Sequence, residues 1–408
     1  MDNSKLIIKA CSEIQTILNK DIEQSVYLEL SKVINGFLEG SISKEVLSFY
    51  LEEQFDIKKE KAYTLEAMKN CLQLSNSYYI DPSSLSRYPK ISVIITTYNR
   101  KEFLYNSINS ILKQDYPNKE IVVIDDCSSD GTNELMSQYF ADEQTVVYMQ
   151  SMQNRGPGIN RKIAVETNGD GEYIYFLDDD DYLIDSNYLS KAVNFHLNHP
   201  EVSFVSANVF LQYNKPKQFK VSSLGLNEIV NKYDYFMNFE QLGFPKPIST
   251  LTSIFKREAL IKMNILDMNM LNDASIYLRS LLAGDAGFID VVAGVYRIHG
   301  NNITFNLSSE FLIKNLEEKK TIKQMAIDLN GYDVEEMNRW FNFNVYDTIF
   351  YYFSNSAKSY MDFQIMFMWA KKYCPDIHRE LRRKGRSLLL KKQILKYSFI
   401  RKFTEILK

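Results

Sequence analysis

Between residues 91 and 210 the sequence alternates short runs rich in β-branched residues with segments of helical periodicity, and that alternation leaves few folds open. The runs are ISVII at 91–95, EIVVI at 120–124, TVVY at 145–148, YIYFL at 173–177 and VSFVSANVF at 202–210. Between them lie helical stripes such as Leu104, Ile108, Ile111 and Leu112, or Leu189, Val193, Phe195 and Leu197. Strands that are apolar along most of their length need cover on both faces, and intervening helices supply both the cover and the crossovers. The expected class is therefore α/β, with a mainly parallel sheet flanked by helices. Ligands of such sheets bind outside the carboxyl ends of the strands, near a topological switch, so the strand ends are where chemistry should be sought.

Those ends are polar one after another. The first strand gives way to TTYNR at 96–100, which offers hydroxyls, an aromatic face and a cation. The second ends in DDCSSDGT at 125–132, two carboxylates followed by a turn that caps the next helix. NRGPG at 154–158 and Arg161 open a further helix, where glycines allow close approach and a helix start with an arginine suits phosphate or sugar oxygens. The densest charge is Asp178, Asp179, Asp180 and Asp181, directly after YIYFL. Carboxylates this close raise one another's pKa, and a hard divalent cation bridging them to an anionic ligand removes the cost. Each segment alone is also compatible with a solvated turn. Together they converge on one rim suited to a metal-bound diphosphate.

At 408 residues, with 45% apolar and 24% charged side chains, the chain is globular and long enough for two or three domains. A formal net charge of -3 argues against a general nucleic-acid binder. No stretch approaches the roughly 20 apolar residues of a membrane span, and residues 1–10 lack a signal-peptide pattern, so a cytoplasmic location is expected. Cys11, Cys71, Cys127 and Cys374 form no Cys-x-x-Cys pair and are expected as reduced thiols. His196 and His199 share a predicted helix without a third ligand nearby and are expected at the surface. Three regions separate by pattern: residues 1–86, mostly helical after a short extended start; residues 87–306, the α/β region; and residues 307–408, helical and rich in aromatic and charged side chains.

Residues 90–305 resemble family-2 glycosyltransferases of the GT-A fold, a Rossmann-like architecture. The resemblance rests on the strand with TTYNR, on IVVIDDCSSDGT, on NRGPG with Arg161, on YIYFLDDDD, and on the later LNDASIYLR and YRIHGNN segments. It implies a metal-dependent inverting transferase that uses a nucleotide-sugar donor, expected to be UDP-linked. Thr97, Tyr98 and Asn99 would line the nucleoside pocket, Asp126 would accept a hydrogen bond from the base, and Arg161 would lie near the diphosphate. Asp178 and Asp180 match the family's Asp-x-Asp pattern, the first near the ribose and the second on Mn2+ or Mg2+. Asp179 joins the donor-binding set by its position between them, and with Asp181 it shapes the turn or the field. His299 matches a segment that some relatives place beside the metal. The acceptor's proton would go to Asp273, the general base. Asn272 stands where the family usually has Glu, which removes one source of pKa elevation for that base.

The acceptor stays open between two classes. Residues 1–86 resemble a PqqD-like peptide-binding domain, or RiPP recognition element, in their apolar helix ending in Glu39-Gly40 and their SISKEV helix start at 41–46. Such domains take a leader peptide as an added strand, which implies a ribosomally made peptide as acceptor. Otherwise the acceptor is a cell-surface or lipid-linked saccharide. Residues 371–408 are strongly basic with interleaved apolar positions, a pattern suited to peripheral contact with the inner face of an anionic membrane or to an ordinary amphipathic helix packed on the protein. An inactive scaffold that only binds peptide or sugar is the non-enzymatic alternative. The four carboxylates Asp126, Asp178, Asp180 and Asp273 weigh against it.

Overall fold

The computed structural model describes residues 3–19, 22–58, 66–74, 78–214, 217–299 and 307–394. The chain divides into two compact units, Met1–Phe239 with Gly243–His299, and Glu240–Leu242 with Gly300–Lys408. The Gly300-Asn301-Asn302 part of the YRIHGNN segment and the last apolar and basic positions, 395–408, lie outside the described residues.

Among the described residues of the first unit the helices α1 (Asn3–Leu18), α2 (Gln24–Glu39), α3 (Lys44–Phe55) and α4 (Glu66–Leu74) come first. The alternating region follows as β1 (Ile91–Thr97), α5 (Lys101–Leu112), β2 (Lys119–Asp125), α6 (Thr132–Tyr139), β3 (Val146–Gln150), α7 (Pro157–Thr167) and β4 (Tyr173–Asp178). The unit is completed by β5 (Tyr182–Leu183), α8 (Tyr188–Asn198), β6 (Val202–Asn214), β7 (Lys217–Val221), β8 (Ile229–Val230), α9 (Lys232–Asn238), β9 (Ile254–Lys256), α10 (Arg257–Lys262), α11 (Asp273–Ala283) and β10 (Asp285–Ile298). The expected α/β class holds. The sheet runs β3-β2-β1-β4-β9-β6-β10-β5, with β7 on β6 and β8 on β10. Strands β3, β2, β1 and β4 are mutually parallel, as are β6 and β10, while the short β9 runs antiparallel between these two blocks.

Two features of this sheet position the site. The chain proceeds outward from β1 to β2 and β3, then returns to β4 on the other side of β1, so a topological switch lies between β1 and β4. Register then aligns the strand ends, with Thr97 opposite Asp125 and Thr96 opposite Asp178. β1 is buried over its whole length, so its polar continuation can emerge only at this rim.

One expectation about the helices fails. His196 is buried rather than exposed, stacked on Tyr173 with ring centroids 4.7 Å apart and with Nε2 2.9 Å from the Ile254 carbonyl oxygen. It shares the inward face of α8 with Leu189, Ala192 and Val193, and burial pushes its pKa down to about 3, so it is a neutral core group. All four cysteines are free thiols, as expected.

The second unit contains α12 (Ser309–Asn330), α13 (Val334–Asn355), α14 (Tyr360–Tyr373) and α15 (Pro375–Ile394), and no strand among its described residues. Phe353, Phe363 and Phe367 form its aromatic core. Gly385 lets α15 approach this core, since a Cβ there would meet Phe353 and Phe367 at 2.9 Å.

The N-terminal segment differs from expectation in two ways. It is helical from Asn3 with no extended start, because Leu6, Ala10, Cys11 and Ile14 form a buried helical stripe. It also shares one core with the sheet: Phe37, Val46, Tyr50 and Leu51 pack with Phe210, Phe219, Val292 and Val295. The boundary near residue 86 is thus one of sequence pattern, and both segments belong to one compact unit. These helices also close the sheet edge at β7, where the Phe219 amide donates to Gln54 Oε1 at 2.9 Å and the Val221 amide to Glu29 Oε2 at 3.3 Å. These two edge amides are no longer free to pair with another strand. Phe210 sits at the centre of this joint, stacked on Tyr50 with centroids 5.4 Å apart. Phe210→Ala should cost about 3–5 kcal/mol in chemical denaturation. Because the core is shared, the N-terminal helices and the sheet should unfold in one transition; two separate transitions would contradict a common core.

Candidate active site

The acidic run closes β4 and turns back toward β5, and its four members have different surroundings. Asp178 is partly exposed and accepts from Arg161 Nη2 at 2.5 Å. Asp179 is buried between β1 and α5, accepting from Thr97 Oγ1 at 2.8 Å and from Arg100 Nη1 at 3.0 Å. Burial raises its pKa to about 7, Arg100 opposing the rise and Asp180 adding to it. Asp180 Oδ2 receives Arg100 Nη1 at 2.8 Å and lies 2.9 Å from His299 Nε2. Asp181 is fully enclosed: Oδ1 accepts from the Arg297 amide at 3.1 Å, whereas Oδ2 is buried without a hydrogen-bond partner among the described residues. Its pKa is raised by burial first and then by the charges of Asp180 and Asp178.

An orphaned buried carboxylate oxygen beside two other carboxylates is a costly arrangement that a cation would relieve. Carboxylate oxygens of Asp178, Asp180 and Asp181 lie within 4.8 Å of one another, a hard-oxygen donor set that fits Mg2+ or Mn2+. Sequence reasoning left Asp181 to the turn, and its position in the run was the only signal available for more. Arg100 stood in the sequence only as the cation of TTYNR, and Arg297 had no assigned role. Arg297 Nη1 donates to the Asp180 carbonyl at 2.6 Å, and its guanidinium lies over the rings of Phe103 and Tyr182. The period of two along β10 sets Arg297 and His299 on the same face, a signal that was present.

Arg161 connects this run to the loop before α11. The side chain is only 7% exposed and is held between Asp178 and Asp273, whose Oδ1 it meets with Nη1 at 2.7 Å. Asp273 is the first helical residue of α11. The preceding Asn272 is the N-cap and accepts from the Ser275 amide at 3.1 Å, so capping does not occupy the aspartate. Asp273 is partly buried, with 38% of its side chain open. Burial raises its pKa, Arg161 opposing and Asp178 reinforcing the rise, so the lift expected to be missing with Asn272 comes from burial and from Asp178. Gly158 fixes the distance between the two elements. The Leu271 amide donates to its carbonyl at 2.9 Å, and a Cβ on Gly158 would fall 2.8 Å from Met270 Cβ and 3.1 Å from the Leu271 carbonyl oxygen. This glycine therefore serves a close approach of chain to chain, two residues before Asp273.

The remaining candidates stand around the same rim. Asp126 accepts from the Arg155 and Gly156 amides at 2.7 and 2.8 Å, clamping the NRGPG loop to β2. Thr97 gives its hydroxyl to Asp179. Asn99, with φ of 52°, ties TTYNR to the next loop by accepting from the Ser129 amide at 2.8 Å and donating its own amide to Ser128 Oγ at 2.9 Å. Of that trio Tyr98 alone presents an exposed ring, 47% accessible. His299, predicted beside the metal, stacks on Phe103 next to Asp180.

A GT-A sheet whose strand ends gather carboxylates, a bridging arginine and an aspartate at a helix start is the arrangement of a glycosyltransferase. Residues 92–263 match the family model described as Glycosyl transferase family 2. It is similar to the GalNAc(5)-diNAcBac-PP-undecaprenol beta-1,3-glucosyltransferase of Campylobacter jejuni, 28% identical over 52% of this chain and 65% of that protein. It is also similar to the UDP-Glc:alpha-D-GlcNAc-diphosphoundecaprenol beta-1,3-glucosyltransferase WfaP of Escherichia coli, 24% identical over 54% and 82%. Among solved structures, S. aureus TarS superposes with a TM-score of 0.53 at 18% identity, over 74% of this chain and 54% of TarS. That likeness concerns the fold.

If Gly158 sets the position of Asp273, then Gly158→Ala should leave the protein folded and able to bind donor nucleotide while transfer falls by at least about tenfold. The size follows from the loss of alignment expected for a shift near 1 Å. Unchanged turnover in this variant would remove the spacing role from the glycine.

Proposed function

We propose that the protein is a metal-dependent, inverting hexosyltransferase that moves a sugar from a UDP-sugar to a saccharide acceptor, with a lipid-linked saccharide as the favoured class. The observation that carries this reading is Arg161 standing between Asp178 and Asp273, with the Asp180 and Asp181 carboxylates beside Asp178. It sets a donor-side carboxylate and an acceptor-side carboxylate at a fixed separation across one guanidinium.

In this mechanism Tyr98 offers its ring to the nucleoside, while Thr97, Asn99 and Asp126 hold the loops around it. Asp178 faces the ribose and Asp179 fixes Arg100. Asp180 and Asp181, with His299 adjoining, would hold Mn2+ or Mg2+, which when bound offsets the charge developing on the leaving diphosphate. Asp273 takes the proton of the acceptor hydroxyl as that oxygen attacks the anomeric carbon from the side opposite the diphosphate. Arg161 then balances the shared negative charge of Asp178 and Asp273, so that both stay aligned as the proton arrives.

Two observations support a saccharide over a peptide. The described residues of 1–86 contain no strand, and the β7 edge beside them is closed by Gln54 and Glu29, so strand addition of a leader peptide has no free edge there. The names of the Campylobacter and Escherichia relatives both specify undecaprenol-linked acceptors, and the latter names UDP-Glc as donor.

Asp273→Asn tests the assignment. Donor nucleotide affinity should be retained while kcat falls by about 100- to 10,000-fold, the usual contribution of a general base. In the unsubstituted enzyme, kcat should fall as pH drops through a value above the ordinary carboxylate range, because the raised pKa of Asp273 protonates the base earlier. Normal turnover in the variant would sink the assignment.

A further inference from the structure

The second unit exposes a row of arginines that form no ion pair among its described residues, Arg383 acting on Glu380 only through its field. On α15, Arg379, Arg382, Arg383 and Arg386 are all exposed, and with Leu390 they fall within about 100° of arc on a helix of 3.6 residues per turn. The opposite side of the helix is the one that packs: Leu381 and Gly385 are buried. Among the described residues none of the four arginines forms an ion pair or donates a hydrogen bond to a carboxylate. The nearby Glu380 is engaged by Lys384 at 2.8 Å. Lys371 and Lys372 lie exposed just ahead of the helix and Lys391 near its end. The resulting field is felt locally, since the pKa of His378 is lowered by burial and then by Arg382 and Lys371.

A solvated helix face usually alternates charge signs or pairs them at i,i+4, as Glu380 and Lys384 do. Four guanidiniums aligned over about 11 Å of helix, at 1.5 Å per residue, repel one another instead. Planar guanidinium forks are matched to phosphate oxygens. The ligand they suit therefore presents several phosphates side by side.

We propose that this face of α15 docks the protein on an anionic phospholipid bilayer. Leu390 decides for a bilayer over a soluble polyanion. It is 58% exposed on the same arc as the arginines, next to Lys391, and the sequence beyond continues to mix Leu395, Phe399, Ile400 and Phe403 with Lys396, Arg401 and Lys402. A headgroup layer receives both kinds of side chain, with acyl carbon just beneath the phosphates, whereas a nucleic acid or polyphosphate chain has no apolar layer for the leucine. The overall charge of -3 also disfavours a general nucleic-acid binder. The inference does not rest on the acceptor assignment, and transfer to a soluble acceptor is read separately in the same samples.

The test is sedimentation of the full chain with vesicles of phosphatidylcholine alone or with about 30% phosphatidylglycerol. Binding should require the anionic lipid and weaken more than about tenfold when salt shortens the Debye length from ~10 Å at 0.1 M toward ~3 Å at 1 M. The joint variant Arg379→Gln, Arg382→Gln, Arg383→Gln, Arg386→Gln should lose at least about a hundredfold in partition, taking about fivefold per arginine near a charged surface. Its melting temperature should be unchanged. A charge-matched control at exposed lysines elsewhere, Lys5→Gln, Lys58→Gln, Lys69→Gln and Lys113→Gln, should bind as the parent does. Leu390→Ser should give a smaller loss that salt does not alter. The proposal is overturned by equal binding to neutral vesicles, by an arginine variant that partitions normally, or by equal losses in the control. It is also overturned if inorganic polyphosphate competes fully while Leu390→Ser binds vesicles as the parent does, which would identify a soluble polyanion as the partner.

Discussion

The candidate active-site rim depends on charge balance between four consecutive carboxylates and the arginines set against them. Asp178 to Asp181 leave the sheet at the end of a buried strand, where water does little to screen them. Arg161 answers Asp178 and Asp273, and Arg100 answers Asp179 and Asp180. The balance is incomplete, since Asp181 keeps one buried oxygen without a partner among the described residues and the pKa values of Asp179 and Asp181 are both raised. That residual negative charge is what a divalent cation would neutralise, which is why we propose a metal-bound diphosphate as the ligand of this rim.

Everything else in the first unit serves to hold these groups in place. The register on either side of β1 sets Asp125 opposite Thr97 and Asp178 opposite Thr96, so these strand ends reach one rim. Gly158 permits the segment before α11 to touch the start of α7, which sets Asp273 against Arg161. At the far side of the sheet the N-terminal helices bury Phe210 and Phe219 and close the β7 edge, so they complete the scaffold that the catalytic strands belong to.

Much of this was legible in the sequence, for a physical reason. Parallel strands covered on both faces need apolar runs, so their ends stand out as abrupt changes to polar residues, and the runs before Thr96, Asp125 and Asp178 could be located closely. The α/β class followed from the same alternation. Side-chain pairing across the rim was not legible, because Arg100 meets Asp179 across 79 residues and His299 meets Asp180 across 119. Local pattern carries no information at that range. The same limit explains the N-terminal segment, whose amphipathic helices announce an apolar face without saying that β6 and β7 would cover it. It explains His196 as well, since two histidines on a helix give no sign of which one faces inward. Asn272 was read only as a departure from Glu that removes one source of pKa elevation, whereas the cap it forms leaves Asp273 uncapped and burial with Asp178 raises the pKa.

The central claim is that the rim of Asp178, Asp180, Asp181 and Arg161 is a metal-dependent site for a nucleoside diphosphate. Calorimetric titration of UDP into the full chain, with Mn2+ and then with the metal removed by chelation, tests it most directly. The account predicts one site per chain that binds UDP with Mn2+ present and at least about tenfold more weakly without it, the scale of one lost charge-assisted contact. Absence of UDP binding in both conditions would contradict it.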